Sequence, residues 1–244
     1  LAFGGYGIQK IELDVRNQFP TASIIRLDKD TAKTATQMES ILTEFKSSGD
    51  ILIGTQLIAK GHHIEDVTLV GVLGIDTQLN IPDFTSAENS FQLLMQVAGR
   101  AGRGKKPGHV IIQSSNPEHY AITCAKQHDY EGFVDYEADF RSDLNYPPFG
   151  CLTHVILSCP NLNLLKDYSK KCNTYLSKQN LSKHIQILGP KPAALEKVRN
   201  HFRYSIIIKH FNSDADAIRA LLKNVPKQPQ NLRFICDFSP QHLL

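Results

Sequence analysis

The sequence lacks any run of the roughly 18 uninterrupted apolar residues that a membrane-spanning helix requires. It also starts without an initiator methionine or the basic segment that opens a signal peptide, so we expect no secretion signal. These absences predict a cytoplasmic protein without a membrane partner. Because the chain starts in the middle of a structured pattern, we also expect it to be part of something longer.

Paired cysteines are missing as well. The chain has five cysteines, an odd number, and none forms a CxxC pair. This pattern indicates neither a disulfide framework nor a zinc site, so we expect reduced thiols and no metal in this chain.

Charge is unevenly distributed along a composition that is otherwise ordinary for a globular protein, with 41% hydrophobic and 21% charged residues. Residues 1–143 hold 13 Lys and Arg against 19 Asp and Glu, a net charge of −6. Residues 144–244 hold 14 against 5, a net charge of +9. The asymmetry favours two domains, the second facing a polyanion, although a lysine-rich solvated surface fits the charge equally well.

Helical apolar spacing alternates with short β-branched runs over the first half of the chain. We predict helices over Tyr6–Phe19, Thr34–Lys46 and Ser86–Ala98, and strands over Ala22–Leu27, Ile51–Gly54, Val67–Leu73 and His109–Gln113. Strands that are apolar throughout are typical of a parallel sheet covered on both faces. This half therefore predicts a doubly wound α/β domain.

The second half has a different order of predicted helices and strands. Helices over Glu118–His128 and Tyr130–Asp143 lead to the turn-forming residues 146–150, where we place the boundary between domains 1–145 and 146–244. Beyond it we predict strands and helices that together form a small α+β sandwich of split β-α-β type. The strands are Leu152–Leu157, Ile185–Leu188, Tyr204–Ile208 and Leu232–Asp237; the helices are Leu162–Gln179 and Ser213–Asn224; Pro190 and Pro192 are assigned to a loop.

A motif with candidate catalytic residues lies at the end of the helix that starts at Ser86. Gln96, Arg100 and Arg103 follow one another at i, i+4 and i+7, so a helix would present them on one face. Guanidinium groups bind oxyanions through two parallel hydrogen bonds, and two of them pointing the same way suit a phosphate chain. A solvated basic turn is the alternative, since Lys105 and Lys106 follow at once.

A second motif, residues 54–63, follows the end of a predicted parallel strand, where α/β sheets place their ligands. Thr55, Gln56 and Lys60 offer donors suited to a phosphate backbone or a nucleotide, and Gly61 allows close approach. His62 and His63 are adjacent and would face opposite sides of a strand, so they do not suit a single metal ion.

Together the two motifs resemble motifs V and VI of superfamily 2 helicases. More narrowly, the chain resembles the primosomal protein N′ family of replication-restart helicases over essentially its whole length. The resemblance is carried by Ile51–Val70, Asp83–Glu88, Gln96–Arg103, Ile187–Glu196 and Asp237–Pro240. The sequence departs from the family pattern at Gly74, Thr85 and Asn89.

The resemblance implies a RecA-like helicase lobe 2 followed by a small α+β C-terminal domain. It implies that Gln96, Arg100 and Arg103 face ATP, with Arg103 as the arginine finger, and that Gly61 lies beside the nucleotide. DNA contacts are expected from Thr55, Gln56, Lys60 and His62 in the first domain. In the basic domain the candidates are Lys191, Lys197, Arg199, Arg203 and Lys209, whereas Phe202 and Tyr204 are predicted to be core residues.

The family's activity is ATP-dependent 3′→5′ translocation on single-stranded DNA and the unwinding of forks. The implied partners are forked and single-stranded DNA, single-strand-binding protein and primosome or helicase-loading proteins, bound by a monomer. ATP and Mg²⁺ would bind together with a first lobe, and zinc would belong to the full-length protein outside this chain. A GxxxxGK[ST] phosphate loop and a DExH-type acidic motif are absent from the sequence, so we expect the chain alone not to hydrolyse ATP.

Two other classes remain open. The chain could be a non-enzymatic DNA- or protein-binding module, which the retained Gln96, Arg100 and Arg103 disfavour because such a module has little use for an arginine finger. It could belong to another superfamily 2 motor, such as a branch-migration or RNA helicase. The Lys60-Gly61-His62-His63 sequence and the C-terminal motifs disfavour that class.

Overall fold

The computed structural model describes residues 7–56, 67–99 and 107–243. The chain divides into two compact units. Unit 1 comprises Leu1–Asn80 and Ala87–Phe133, and unit 2 comprises Ile81–Ser86 and Val134–Leu244. The division thus comes earlier in the chain than the turn-forming residues 146–150. The short segment Ile81–Ser86 also belongs to unit 2, although the residues on both sides of it belong to unit 1.

Unit 1 is an α/β unit with parallel strands, as predicted. Its described elements are α1 (Ile8–Gln18), β1 (Ile24–Leu27), α2 (Ala35–Ser48), β2 (Ile51–Gly54), β3 (Leu69–Val72), α3 (Ile75–Leu79), α4 (Ser86–Ala98), β4 (His109–Ile112) and α5 (Tyr120–Gln127). Among the described residues, β1 pairs with β2 and β3 pairs with β4, both in parallel. Where the sequence predicts one parallel sheet, the described residues form two separate parallel strand pairs, β1-β2 and β3-β4.

Two buried clusters hold these pairs to their helices. Leu27 and Leu42 join β1 to α2, which starts at the capping box formed by Thr34 and Gln37. A second cluster packs α3, α4 and α5 together, and it includes Ile75, Phe91, Leu94, Ala121, Ile122 and Phe133. The ring of Phe91 stacks on that of Phe133 with centroids 4.0 Å apart. Because Phe91 and Leu94 face this core, the side of α4 that carries Gln92 and Gln96 is exposed.

Unit 2 contains a four-stranded antiparallel sheet in the order β6-β7-β5-β8. Helix α6 (Tyr130–Asp143) leads into it, followed by β5 (Cys151–Cys159), α7 (Leu162–Ser177), β6 (Gln186–Val198), β7 (His201–His210), α8 (Ala215–Lys223) and β8 (Arg233–Phe238). This β-α-β-β-α-β order is the ferredoxin-like arrangement, which confirms the predicted split β-α-β type. Helices α7 and α8 cover one face of the sheet, where Val155, Leu157, Ile206, Ile208 and Ile218 are buried.

The predicted loop at Pro190 and Pro192 is wrong, because β6 continues to Val198. The strand lies at an edge of the sheet, where proline's missing N–H leaves no partner unsatisfied. The ladder shifts register twice on the way, and Gly189 has a φ of 101° at the first shift. A Cβ at Gly189 would lie 2.5 Å from the backbone oxygen of Ser205, so the strand requires glycine here.

A tight turn joins β6 to β7 and starts β7 three residues earlier than the sequence predicts. Arg199 and Asn200 occupy the two central positions with φ of 46° and 66°. Positive φ at both positions is the type I′ geometry that matches the twist of a two-residue hairpin. Asn200 tolerates this conformation well, and it is the sequence signal for the turn.

Candidate functional site

A strip of amide side chains runs along the exposed side of helix α4. Asn89, Gln92 and Gln96 follow one another at i, i+3 and i+7, on the side away from the buried Phe91 and Leu94. Gln92 donates a hydrogen bond from Nε2 to Oε1 of Glu88 at 3.0 Å. The predicted motif residue Gln96 therefore ends a longer polar strip.

The end of β2 supplies the facing side of the site. Thr55 and Gln56 directly follow the strand and are exposed. Gln56 donates from Nε2 to Oε1 of Gln78 at 3.2 Å, and Gln78 lies on α3, just after β3. Both side chains thus come from the carboxyl ends of parallel strands, where α/β proteins bind ligands.

These side chains line one cavity of about 270 Å³. Its described lining consists of five amides and one leucine: Gln56, Gln78, Asn89, Gln92, Gln96 and Leu93. The structure therefore brings together Gln56 and Gln96, which the sequence analysis took from two separate motifs. Amides both donate and accept hydrogen bonds, so such a lining suits sugar hydroxyls, base edges and phosphate oxygens.

The start of α3 is fixed by Asp76. Its carboxylate accepts hydrogen bonds from Oγ of Ser114 at 2.6 Å and from the backbone N–H of Ser115 at 2.8 Å, just beyond β4. Partial burial works against the charged form, but the hydrogen bonds from Ser114 and Ser115 outweigh it and lower the pKa of Asp76. The carboxylate thus ties the helix that carries Gln78 to the chain after β4.

The sequence analysis missed Gln78, Asn89 and Gln92. The helical spacing of Asn89 and Gln92 with Gln96 was a usable signal. Gln78 had no such signal, because the five-residue helix α3 was not predicted. Several of the predicted site residues lie outside the described part of the chain: Lys60, Gly61, His62, Arg100 and Arg103.

Four of the five predicted DNA-binding residues of the basic domain, the exposed Lys197 among them, lie along the β6–β7 hairpin without being buried. Lys191 and Arg203 lie on its two strands, and Arg199 lies in its turn. Lys191 and Arg199 are exposed, and Arg203 is half-buried. The structure thus gathers residues that are up to twelve positions apart, and their role in DNA binding stays a prediction.

Lys209, in contrast, has a structural role, and its interpretation as a DNA contact is wrong. Its side chain is 5% exposed, and Nζ donates a hydrogen bond to the backbone oxygen of Leu144 at 2.8 Å. The ammonium group also lies 3.7 Å from the ring centroid of Tyr146. Burial lowers the pKa of Lys209. The predicted core positions of Phe202 and Tyr204 are confirmed, since both pack against the core under the helices.

The cysteines are free thiols, as expected, and Cys124, Cys159 and Cys172 are buried. Burial raises the pKa of the Cys124 and Cys172 thiols. Within residues 7–56, 67–99 and 107–243, no cluster of three or more His, Cys, Asp and Glu side chains could hold a metal ion. None of the described helices is long and apolar enough to cross a bilayer.

Comparison with known proteins agrees with the division into two parts. Residues 9–105 match the family model of the helicase conserved C-terminal domain, and residues 142–241 match that of the primosomal protein N C-terminal domain. The chain thus joins the C-terminal domain of a helicase to a small α+β domain that characterises one helicase family.

Curated relatives identify that family. The replication restart protein PriA of Bacillus subtilis is 42% identical over 226 residues, which cover 92% of this chain and 28% of the relative. The PriA proteins of Synechocystis and Chlamydia trachomatis are 39% and 41% identical, over 86% and 87% of this chain and 25% and 28% of theirs. The chain belongs to the PriA family of primosomal protein N′, and it spans about a quarter to a third of the length of these relatives.

Proposed function

We propose that this chain is the second motor lobe and C-terminal domain of an ATP-dependent 3′→5′ DNA helicase that restarts replication at forks. The observation that supports the proposal is the shared cavity of Gln56 and Gln96. In a superfamily 2 motor, one of these motifs contacts DNA and the other contacts ATP. Because Gln56 and Gln96 line one cavity, the motif that contacts DNA would lie directly beside the motif that contacts ATP.

In this proposal the motif VI residues act on the nucleotide. Arg103 is the finger that offsets charge developing on the γ-phosphate, and Arg100 is a second phosphate contact. Gln96 positions the nucleotide by hydrogen bonding, and Gly61 lets the backbone approach it. Thr55, Gln56, Lys60 and His62 contact the DNA backbone.

ATP and Mg²⁺ would bind between this lobe and a first lobe. The amide lining suits the sugar and phosphate oxygens of a nucleotide. No carboxylate is part of that described lining, so Mg²⁺ would depend on the triphosphate and on residues of the first lobe. Bound ATP would supply the free energy for translocation.

The proposed partners are forked and single-stranded DNA, single-strand-binding protein and the proteins that load the replicative helicase, with the motor acting as a cytoplasmic monomer. The net charge of +9 over residues 144–244 supports a polyanionic partner. PriA relatives are named as replication restart proteins.

The test compares ATP turnover with DNA binding in a protein that joins this chain to a first motor lobe. Arg103→Ala should reduce DNA-stimulated turnover by at least about a thousandfold, because an arginine finger is worth that much or more in phosphoryl transfer. DNA affinity in the absence of nucleotide should stay within about twofold. Equal loss of both activities would contradict the assignment of Arg103.

The 244-residue chain by itself provides the complementary test. It should show no DNA-stimulated ATP hydrolysis, since no phosphate loop is present in its sequence. Measurable ATP turnover by the purified chain would contradict the proposal that hydrolysis requires a first motor lobe. Full ATP turnover by the joined Arg103→Ala protein would contradict the assignment of Arg103 as the finger. DNA binding without ATP turnover in the joined wild-type protein would favour a binding module without a motor.

A further inference from the structure

Helix α3 follows the carboxyl end of β3 and carries Gln78, one of the amides that line the cavity. The helix has only five residues, and isolated helices this short do not hold their shape in water. Ile75 anchors one side of it in the core that contains Phe91 and Leu94. Apolar packing buries that side of the helix, but it is not directional and leaves the rotation of the helix open.

Asp76 supplies the directional contacts of α3. Its Oδ1 accepts a hydrogen bond from Oγ of Ser114 at 2.6 Å, and its Oδ2 accepts one from the backbone N–H of Ser115 at 2.8 Å. Ser114 is itself held, because its Oγ accepts from the backbone N–H of Asn116 at 3.0 Å. Hydrogen bonds to a carboxylate are roughly twice as strong as those between neutral groups. Asp76 therefore fixes the orientation of α3 relative to the chain after β4.

The carboxylate extends the pairing of β3 with β4. At the end of this pair, the backbone N–H of Gln113 donates to the oxygen of Val72 at 2.9 Å. The chain then turns into α3, and the side chain of Asp76 reaches the two residues directly after Gln113. Strand β4 is the first described element after motif VI, residues 96–103. Asp76 thus links α3 to the strand that follows motif VI.

Helix α3 also contacts motif V. Nε2 of Gln56 donates to Oε1 of Gln78 at 3.2 Å. This length is near the upper limit for an N–H···O hydrogen bond, so a shift of α3 by about half an ångström would break it. Described contacts therefore connect motif V to the chain after β4 in one series, which consists of Gln56, Gln78, Asp76 and Ser114.

We propose that Asp76 is a positioning residue that couples DNA binding at motif V to ATP hydrolysis at motif VI. Asp76 is not part of the described cavity lining, so it acts through Gln78 and not on a ligand. It holds α3 in the orientation in which Gln78 accepts the hydrogen bond of Gln56. A displacement of Gln56 by DNA is then passed to α3 and to the strand after motif VI. The inference rests on the proposed function, because it takes motif V to contact DNA and motif VI to contact ATP.

The first experiment follows the amides in the 244-residue chain, without any ligand. Asp76→Asn keeps the shape of the side chain but replaces one acceptor oxygen by an amide nitrogen, which only donates. In NMR spectra of the isotope-labelled chain, the side-chain amide signals of Gln56 and Gln78 should shift in this variant. The signal of Gln127, exposed at the end of α5, should stay in place. Unchanged signals of Gln56 and Gln78 in a folded Asp76→Asn variant would overturn the proposal.

The second experiment measures coupling in the protein that joins this chain to a first motor lobe. The readout is the ratio of ATP turnover with saturating single-stranded DNA to turnover without DNA. Asp76→Asn should lower this ratio at least about threefold. A variant that is merely less stable loses both rates by the same factor, so its ratio stays at the wild-type value. Ser114→Ala should lower the ratio by a smaller factor, and Ser114→Thr, which keeps the hydroxyl, should retain it.

Asp129→Asn is the matched control for charge and burial. Asp129 is also a half-buried carboxylate of unit 1, and it accepts a hydrogen bond from the backbone N–H of Gly132 at 2.8 Å. It lies at the start of α6, outside the series that contains Asp76. Its ratio should stay within about twofold of the wild type. Equal falls in the Asp129→Asn and Asp76→Asn ratios would overturn the proposal, as would a wild-type ratio in Asp76→Asn.

The two experiments separate a failure of this inference from a failure of the proposed function. The amide signals depend on neither ATP nor DNA, so they report the role of Asp76 in positioning Gln78 even if the motor assignment is wrong. A joined wild-type protein without DNA-stimulated turnover would contradict the proposed function. Shifted amide signals together with an unchanged ratio would overturn the coupling and leave the motor assignment in place.

Discussion

The ring of Phe84 stacks on the ring of Tyr146, with centroids 5.5 Å apart and planes inclined by 11°. Phe84 belongs to the segment Ile81–Ser86, which is part of unit 2 although the chain on either side of it is part of unit 1. Asp83 of the same segment accepts a hydrogen bond from the backbone N–H of Leu243. Helix α4 begins at Ser86, the last residue of this segment.

Replacement of Phe84 should destabilise unit 2. Phe84→Ala removes the stack on Tyr146 and the contact of its ring with the Arg141 guanidinium 5.5 Å away. For a half-buried ring we expect a loss of about 2 to 3 kcal/mol in the free energy of unfolding, measured by urea titration. Phe140→Ala, at a position that is 49% exposed, is the matched control and should cost well under half as much. Similar losses in both variants would contradict a specific anchor.

Lys209 and Lys191 should respond in opposite ways to loss of charge. Lys209→Gln removes the buried hydrogen bond to Leu144 and should lower the free energy of unfolding by about 1 to 3 kcal/mol. Its affinity for oligo(dT) should change less than twofold. Lys191→Gln, at an exposed position, should keep its stability and lose affinity for oligo(dT). Reduced DNA affinity of a folded Lys209→Gln variant would refute the structural assignment.

The effects of Gln56 and Gln96 on ATP turnover should be coupled, because the two side chains line one cavity. In a protein with a first motor lobe, Gln56→Ala and Gln96→Ala should each reduce DNA-stimulated turnover, and the double variant should lose less than the sum of the two. A coupling of about 0.5 to 1 kcal/mol is expected for neighbours. Gln127→Ala, exposed at the end of α5 and outside the cavity lining, should show no coupling with Gln96→Ala.

Local sequence signals predicted most helices and strands of this protein. Periodicity located α2 and α4 to within two residues, because their apolar faces repeat at helical spacing. It failed at β6, where Pro190 and Pro192 normally end a strand. Whether proline is tolerated depends on which strand lies at the sheet edge, and that is decided by residues far away in the sequence.

The candidate site shows the same limit. Gln96 was found because its spacing to two arginines is local, and Gln56 because it follows a strand. Gln78 was missed because its importance comes from Gln56, a neighbour 22 residues away in the sequence. Lys209 was misinterpreted for the related reason that composition reports charge but not burial.

Acid should weaken unit 1 through Asp76. The pKa of this carboxyl is lower in the folded chain than the roughly 3.9 of an unfolded aspartate, because Ser114 and Ser115 hydrogen-bond its charged form. A lowered folded pKa gives stability that is present above about pH 4 and is lost as the pH falls through the folded pKa. Asp76→Asn should therefore be less stable than the wild type at pH 7, and the difference should shrink progressively as the pH falls below about 4. Urea midpoints across this range measure it, with Asp14→Asn on the exposed side of α1 as the control for net charge. A difference that stays constant down to pH 2 would show that the amide fails for a reason other than the lost carboxylate.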